Sequence, residues 1–250
     1  LKDTASLVEI FSSIQGEGIY IGKRQLFIRF ASCNLKCGYC DTPVEDSSVK
    51  KCLVEWDSGS GEFDEIDNPL SAEKLVAIAE KFLLKKQFHH SMSLTGGEPL
   101  IYAPFIKKFL KLLKGAVPVY LETNGTLCDE LASIIKYADI ISMDIKLPET
   151  AGIAPQWNNH KKFLEIASEK EVFVKTVMKD CTNIDELVRA AKLVSEVDEN
   201  IPFVIQPLTV EGGLEKGAEP SCLFSFYDYA SSYLKDVRII PQAHKMMGIL

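Results

Sequence analysis

The sequence predicts an α/β fold, an open and partial parallel barrel of about six β/α units. Two observations carry this expectation. Short runs rich in β-branched and aromatic residues alternate with amphipathic stretches, the pattern of parallel strands joined by right-handed crossovers. The repeats fall short of the eight that close an ordinary barrel. At 250 residues, with no low-complexity tract and no internal repeat, the chain suits a single domain over 1–250.

Strands are predicted over 24–30, 91–95, 117–121, 139–143, 171–178, 202–206 and 236–241, each apolar enough for burial on both faces. Helices are predicted over 71–86, 104–114, 129–137, 157–169, 183–198 and 218–234. In the fifth, Asn183 stands three residues before Glu186 as in a capping box, and Ile184, Leu187, Val188, Ala191 and Val194 share one face. Residues 46–69 break the rhythm: polar, acidic and Gly/Ser-bearing, they are expected to form an insertion or flap within the domain. In such a fold, active residues gather at the carboxyl ends of strands, where Thr95, Glu122 and Gln206 fall.

Composition narrows the function. With 46% apolar and 25% charged residues the chain is ordinarily globular. No apolar run approaches the roughly 20 residues of a membrane span, and Leu1–Thr4 lacks the apolar core of a signal peptide, so a cytoplasmic protein is expected. Lys and Arg number 28 against 35 Asp and Glu, a net charge of −7, without the broad positive field that a nucleic-acid backbone requires. A small-molecule substrate is favoured.

The seven cysteines are Cys33, Cys37, Cys40, Cys52, Cys128, Cys181 and Cys222. An odd count with three packed together does not resemble a disulfide framework, and reduced thiols are expected, the scattered four as small buried apolar groups. Cys33-Asn34-Leu35-Lys36-Cys37-Gly38-Tyr39-Cys40 follows a predicted strand and offers three thiolates to one metal centre. A closed zinc site or an electron-transfer cluster wants four ligands; three on a four-iron cluster leave one iron open. Zinc completed by Cys52 or His89 is the alternative.

This triad, with Tyr39 before its third cysteine, resembles the signature of the radical S-adenosylmethionine (SAM) superfamily. The resemblance implies a [4Fe–4S] cluster on Cys33, Cys37 and Cys40, with the amino and carboxylate groups of SAM on the open iron. Electron transfer then cleaves the sulfonium and releases a 5′-deoxyadenosyl radical. Thr95-Gly96-Gly97-Glu98-Pro99 looks like that superfamily's Gly-Gly-Glu-Pro segment. Its glycines would let backbone approach the methionine end of SAM, and Glu98 would accept from the SAM amine or hold the loop. Glu122-Thr123-Asn124-Gly125 ends the next strand, placing Glu122 toward SAM or substrate, although Asn-Gly is common turn material.

Further segments resemble the 7-carboxy-7-deazaguanine synthase family: Glu9-Ile10-Phe11-Ser12-Ser13-Ile14-Gln15-Gly16-Glu17-Gly18, Phe27-Ile28-Arg29-Phe30, Asp41-Thr42, and Pro241-Gln242-Ala243-His244-Lys245. That family rearranges 6-carboxy-5,6,7,8-tetrahydropterin to 7-carboxy-7-deazaguanine with loss of ammonia, on the route to queuosine and related 7-deazapurines. It reuses SAM, and Mg²⁺ assists. The resemblance implies that Ile14, Gln15 and Gly16 contact the pterin with Thr95 and Glu122, and that Glu17 accepts from its N–H groups. It also implies that Arg29 pairs with the substrate carboxylate, that His244 contacts substrate, and that Glu17, Arg29 and His244 form the catalytic set. Tyr39, Asp41, Gly97, Glu98, Ser142, Asp144 and Gln206 would contact SAM, and Thr42 would hold Mg²⁺. An electron donor such as flavodoxin or ferredoxin, and a homodimer, are implied as partners.

One segment departs from the family. Where many members carry Ser-Pro-Lys, this chain reads Ser142-Met143-Asp144-Ile145-Lys146-Leu147-Pro148, which is similar to glycyl-radical activating enzymes, the runner-up class. An activase would leave Ile14–Glu17, Arg29 and His244 idle. A small zinc- or cluster-binding interaction module, the third class, would leave the Gly-Gly-Glu-Pro segment without purpose.

Overall fold

A computed structural model describes residues 3–40, 49–85, 88–113, 117–179, 184–209 and 219–249. The chain begins with β1 (Thr4–Ala5), β2 (Leu7–Ile14) and β3 (Arg24–Phe30), then β4 (Lys51–Glu55), β5 (Phe63–Asp67) and β6 (Leu70–Ser71). Helix α1 (Ala72–Lys85) leads to β7 (Ser91–Gly96), α2 (Ala103–Leu112), β8 (Val119–Thr123), α3 (Cys128–Ile134) and β9 (Ile140–Asp144). The short α4 (Pro148–Ala151) and α5 (Trp157–Ala167) precede β10 (Glu171–Met178), α6 (Ile184–Ser195) and β11 (Phe203–Pro207). Helix α7 (Pro220–Ser231), β12 (Val237–Ile239) and α8 (Ala243–Met247) complete the described elements.

Ten strands form one sheet in the order β12-β11-β10-β9-β8-β7-β3-β2-β4-β5. From β3 to β12 every pairing is parallel, as the alternation of strands and helices demands. Among the described residues the order is linear, with β12 and β5 as its edges, in keeping with the open, partial barrel expected. All seven predicted strands and all six predicted helices appear, with ends shifted by a few residues. Asn183, the predicted cap, lies outside the described residues. Along α6 the buried stripe runs through Leu187, Ala190, Ala191, Leu193 and Val194, leaving Val188 at its margin.

Two parts differ from the sequence expectation. Residues 7–14, read only as a motif-bearing segment, form β2, antiparallel to β3. The stretch expected as an insertion or flap contributes the β4–β5 hairpin, which pairs through β4 to β2 and widens the main sheet. Its polar composition reflects one exposed face: Cys52 and Val54 are buried while Lys51 and Leu53 are not, a period of two hidden among charges. The thiol expectation is also corrected at Cys222, which is disulfide-bonded.

The main core lies between sheet and helices, where Phe30, Tyr102, Phe105 and Phe109 are almost wholly buried. Alternate strand residues Tyr120, Ile140, Phe173 and Val204 form a smaller apolar cluster, closed by Ile19, Tyr20 and Ile240. Gly18 enters this turn at φ 65°, and a Cβ there would lie 2.5 Å from the Phe173 ring. The cluster thereby fixes the height of the neighbouring Glu17. Among the described residues, no helix is long and apolar enough to cross a membrane.

Candidate active site

A cleft of about 770 Å³ opens at the carboxyl ends of the parallel strands. Arg29 of β3, Thr95 of β7, Glu122 of β8, Ser142 and Asp144 of β9 and Gln206 of β11 all line it. Ile14 at the end of β2, the loop residues Gln15, Gly16 and Glu17, the cysteine-loop residues Cys33, Cys37, Tyr39 and Cys40, and His244 from the C-terminal segment line it too. Gly97 also lines it; Glu98 lies buried behind. Asp41 and Thr42 lie outside the described residues.

The cysteine loop leans on the loop after β7. Gly97 N donates to Phe30 O at 3.0 Å and Glu98 N to Ser32 O at 2.8 Å. A Cβ on Gly96 would lie 2.2 Å from Phe30 O, and one on Gly97 2.0 Å from Ser32 O. The glycines expected for close approach of a ligand are therefore required first by the protein's own backbone. From the third side, Asn124 Nδ2 donates to Asn34 Oδ1 at 2.8 Å and reaches Cys33 Sγ at 3.7 Å.

Glu98 ties these loops together. Its Oε1 accepts from Leu100 N at 3.0 Å and from the Thr123 hydroxyl at 2.9 Å; its Oε2 accepts from Asn124 N at 2.7 Å. Burial pushes this carboxyl up to about 7 despite those donors. Burial likewise raises the Cys33 and Cys37 thiols.

Elsewhere in the cleft, Gln15 Nε2 donates to Gln25 Oε1 at 3.0 Å and to Glu122 Oε1 at 2.8 Å, and the Thr95 hydroxyl donates to Glu122 Oε2 at 2.5 Å. This binds β2, β3, β7 and β8 into one polar floor. Gly16 touches the C-terminal segment: a Cβ there would lie 2.3 Å from His244 Nδ1, and Ala243 N donates to Gly16 O at 2.9 Å. The close approach for which Gly16 is needed is that of His244. Arg29 Nε donates to Glu9 at 2.7 Å, and its guanidinium lies 5.9 Å from the Phe11 ring.

Glu17 is paired with Lys175, and accepts from Gln242 Nε2 at 2.7 Å and Gln206 Nε2 at 3.4 Å. Burial pushes its carboxyl up, but Lys175, Gln242 and His244 outweigh burial and bring it down to about 2. Lys175 also lies 3.6 Å from Asp144, which pairs with Lys146 at 2.8 Å. Sequence reasoning assigned no role to Lys175, Lys146, Glu9, Asn124 or Gln242. For Lys175 a signal existed, a lone cation amid the apolar run Val172-Phe173-Val174-Lys175-Thr176-Val177-Met178.

Neither Cys52 nor His89 is placed to complete a zinc site with the cysteine loop. Among the described residues, no group of three His, Cys, Asp or Glu converges on one metal ion. Cys52 is buried in β4, and His89 bonds Ser12 at 2.9 Å. A multi-iron cluster spreads its ligands more widely and takes thiolates, which is what this loop offers.

A family model for the Radical SAM superfamily matches residues 27–178. A 7-carboxy-7-deazaguanine synthase of Geobacter sulfurreducens is 42% identical over 250 residues, covering 100% of this chain and 99% of the relative. The chain belongs to the 7-carboxy-7-deazaguanine synthase family. A second member, from Methanocaldococcus jannaschii, is 36% identical over 97% of this chain and 99% of its own length. In fold, the chain resembles the crystal structure of QueE from Escherichia coli, with a TM-score of 0.58 and 18% identity over 96% of this chain and 94% of that one. SAM-bound SuiB of Streptococcus suis gives a TM-score of 0.54 at 16% identity, over 84% of this chain and 45% of that one.

Members of this family are radical SAM lyases, and the cofactors are a [4Fe–4S] cluster and SAM. Cys33, Cys37 and Cys40 are suited to hold the cluster, and Gly96, Gly97 and Asn124, which line the same cleft, would border it. When bound, the pair supplies a carbon radical that abstracts hydrogen from substrate.

Proposed function

We propose that this chain converts 6-carboxy-5,6,7,8-tetrahydropterin to 7-carboxy-7-deazaguanine with release of ammonia, on a route to 7-deazapurines such as queuosine. One observation carries the reading: the same cleft is lined by the cysteine loop and by a polar wall of Gln15, Glu17, Glu122 and Arg29. That wall suits a flat, polar-edged bicycle bearing a carboxylate. Arg29 offers the cation for the carboxylate, its Nε already fixed on Glu9. Ile14, Gln15 and Gly16 present backbone to the ring, Glu17 accepts ring N–H groups, and Thr95, Glu122 and His244 complete the contacts. Glu17, Arg29 and His244 act as the catalytic set.

Tyr39, Asp41, Gly97, Glu98, Ser142, Asp144 and Gln206 serve SAM in this proposal. SAM is regenerated each turnover. Mg²⁺, held by Thr42 and the substrate carboxylate, orients the substrate. A flavodoxin or ferredoxin supplies the electron, and the chain acts in the cytoplasm as a homodimer. An activase acting on a partner protein's glycine would have no use for this wall. The test is anaerobic incubation of cluster-loaded protein with SAM, Mg²⁺, a reductant and the carboxytetrahydropterin. Formation of 7-carboxy-7-deazaguanine and ammonia, many per SAM, is expected; substrate left unconverted by an iron-replete enzyme overturns the proposal.

A further inference from the structure

We infer that Lys175 is a positioning residue: it holds Glu17 as an acceptor-only carboxylate, so that this wall selects a ligand presenting paired N–H donors. The inference rests on the proposed substrate and deepens it to the ring edge that is read. Lys175 projects from β10, the fifth of the parallel strands counted from β3, in a sheet whose other cleft-lining residues are mostly neutral or acidic. It is nearly buried, 12% exposed against 19% for Glu17, and is bracketed by Glu17 on one side and Asp144 on the other. A buried ammonium between two carboxylates orients both.

Counting acceptors shows what remains for a ligand. A carboxylate has about four acceptor positions. Among the described residues, Lys175, Gln206 and Gln242 donate to Glu17. Roughly one position is left. Both glutamines turn their amide nitrogens to Glu17, which an ionised carboxylate requires. For Gln206 this leaves Oε1 buried and, among the described residues, with no hydrogen-bond partner. An unpaired buried acceptor is costly and points to a donor supplied from outside the chain. Glu17 and Gln206 thus form an acceptor pair at one end of the cleft. The amino group and adjacent ring N–H of an aminopyrimidinone match such a pair, whereas a ring bearing carbonyl oxygens there meets only repulsion. Were Glu17 protonated it would donate, and the glutamines would reorient.

Among the described residues, the charged groups around Glu17 are Lys175 from β10, Asp144 from β9 with Lys146 just after that strand, Glu122 from β8, and His244 from the C-terminal segment. Among the described residues, Lys175 forms an ion pair with the carboxylate, and His244 adds a weaker favourable charge. Without Lys175 the upward push of burial loses its main counterweight, and Glu17 takes up a proton at higher pH than in wild type.

The experiment measures the Kd of 6-carboxy-5,6,7,8-tetrahydropterin on anaerobic, cluster-loaded protein with SAM, between pH 6 and 9. Wild type, Lys175→Met, Lys175→Arg and Glu17→Gln are compared. Wild-type Kd is expected to be flat across this range. In Lys175→Met it should rise about 30-fold at pH 7 and recover as pH increases and Glu17 ionises. Lys175→Arg should restore a flat profile. Glu17→Gln should weaken binding with no recovery at high pH, and it tests the inference even where Lys175→Met fails to fold. A flat profile in Lys175→Met, or wild-type affinity in Glu17→Gln, overturns the assignment. Wild type that binds SAM but neither binds nor converts the pterin overturns instead the substrate reading on which it rests.

Discussion

Replacing Gly97 by alanine should separate the cysteine loop from the loop that supports it. A Cβ at this position would lie 2.0 Å from Ser32 O, 2.5 Å from Ser32 C and 3.1 Å from Cys33 N. These are backbone atoms, so no rotamer change relieves the clash, and the loops must part by roughly an ångström. That motion breaks or weakens two hydrogen bonds, Gly97 N to Phe30 O and Glu98 N to Ser32 O. At about 1 kcal/mol each, with 1–3 kcal/mol of overpacking, the local cost is about 3–5 kcal/mol. For a domain of this size, each kcal/mol moves Tm by about 2–4 °C, so a fall of roughly 6–20 °C is expected. Gly38→Ala is the matched control within the same cysteine loop, since among the described residues its Cβ would meet nothing closer than Ala151 O at 3.8 Å. Thermal unfolding of the cluster-free proteins, and iron content after anaerobic reconstitution, check both. Gly97→Ala should melt lower and hold less iron, and Gly38→Ala should resemble wild type. Equal melting temperatures and iron contents for Gly97→Ala and wild type would refute the reasoning.

Arg29→Met should raise the substrate Kd by the equivalent of about 2–5 kcal/mol, because it leaves a carboxylate unpaired, while SAM affinity stays near normal; equal loss of both ligands would make Arg29 a structural residue. Glu9→Gln, which loosens the Arg29 guanidinium held at 2.7 Å, should move the same constant by less. His160 is fully buried with Nε2 3.2 Å from Asn124 O, and burial lowers its pKa to about 4 from 6.5. The unfolded chain therefore binds a proton before the native state does, and stability should fall as pH drops from 6.5 toward 4. The loss is about 2–3 kcal/mol by pH 4.5. Urea unfolding of the cluster-free protein at pH 7 and 4.5 measures it, and an unchanged difference in His160→Gln would assign the slope to other groups. Mg²⁺ stimulation of turnover should vanish in Thr42→Ala and persist in Thr42→Ser; an unchanged response in the alanine variant moves the ion elsewhere.

Local sequence determined the elements that obey a simple period and the segments whose chemistry is written in consecutive residues. Strands such as 171–178 announce themselves because burial on both faces demands unbroken β-branched and aromatic residues. The cysteine loop was legible because Cys33, Cys37 and Cys40 are neighbours in the chain as well as in space. The hairpin of β4 and β5 was not, since an edge with one wet face resembles a loop in composition, and only pairing to β2 reveals it. The same limit applies in the site. Arg29 with Glu9, Gly16 with His244, and Glu17 with Lys175 join residues up to 228 positions apart, brought together by strand order and by the loop and C-terminal helix that pack over the strand ends. Sequence supplied each glycine and each charge; the tertiary structure decided which backbone each glycine must clear and which charge each carboxylate must face. The physical reason is that desolvation and pairing energies depend on neighbours in space, and a parallel sheet makes neighbours of strand ends that the chain keeps far apart.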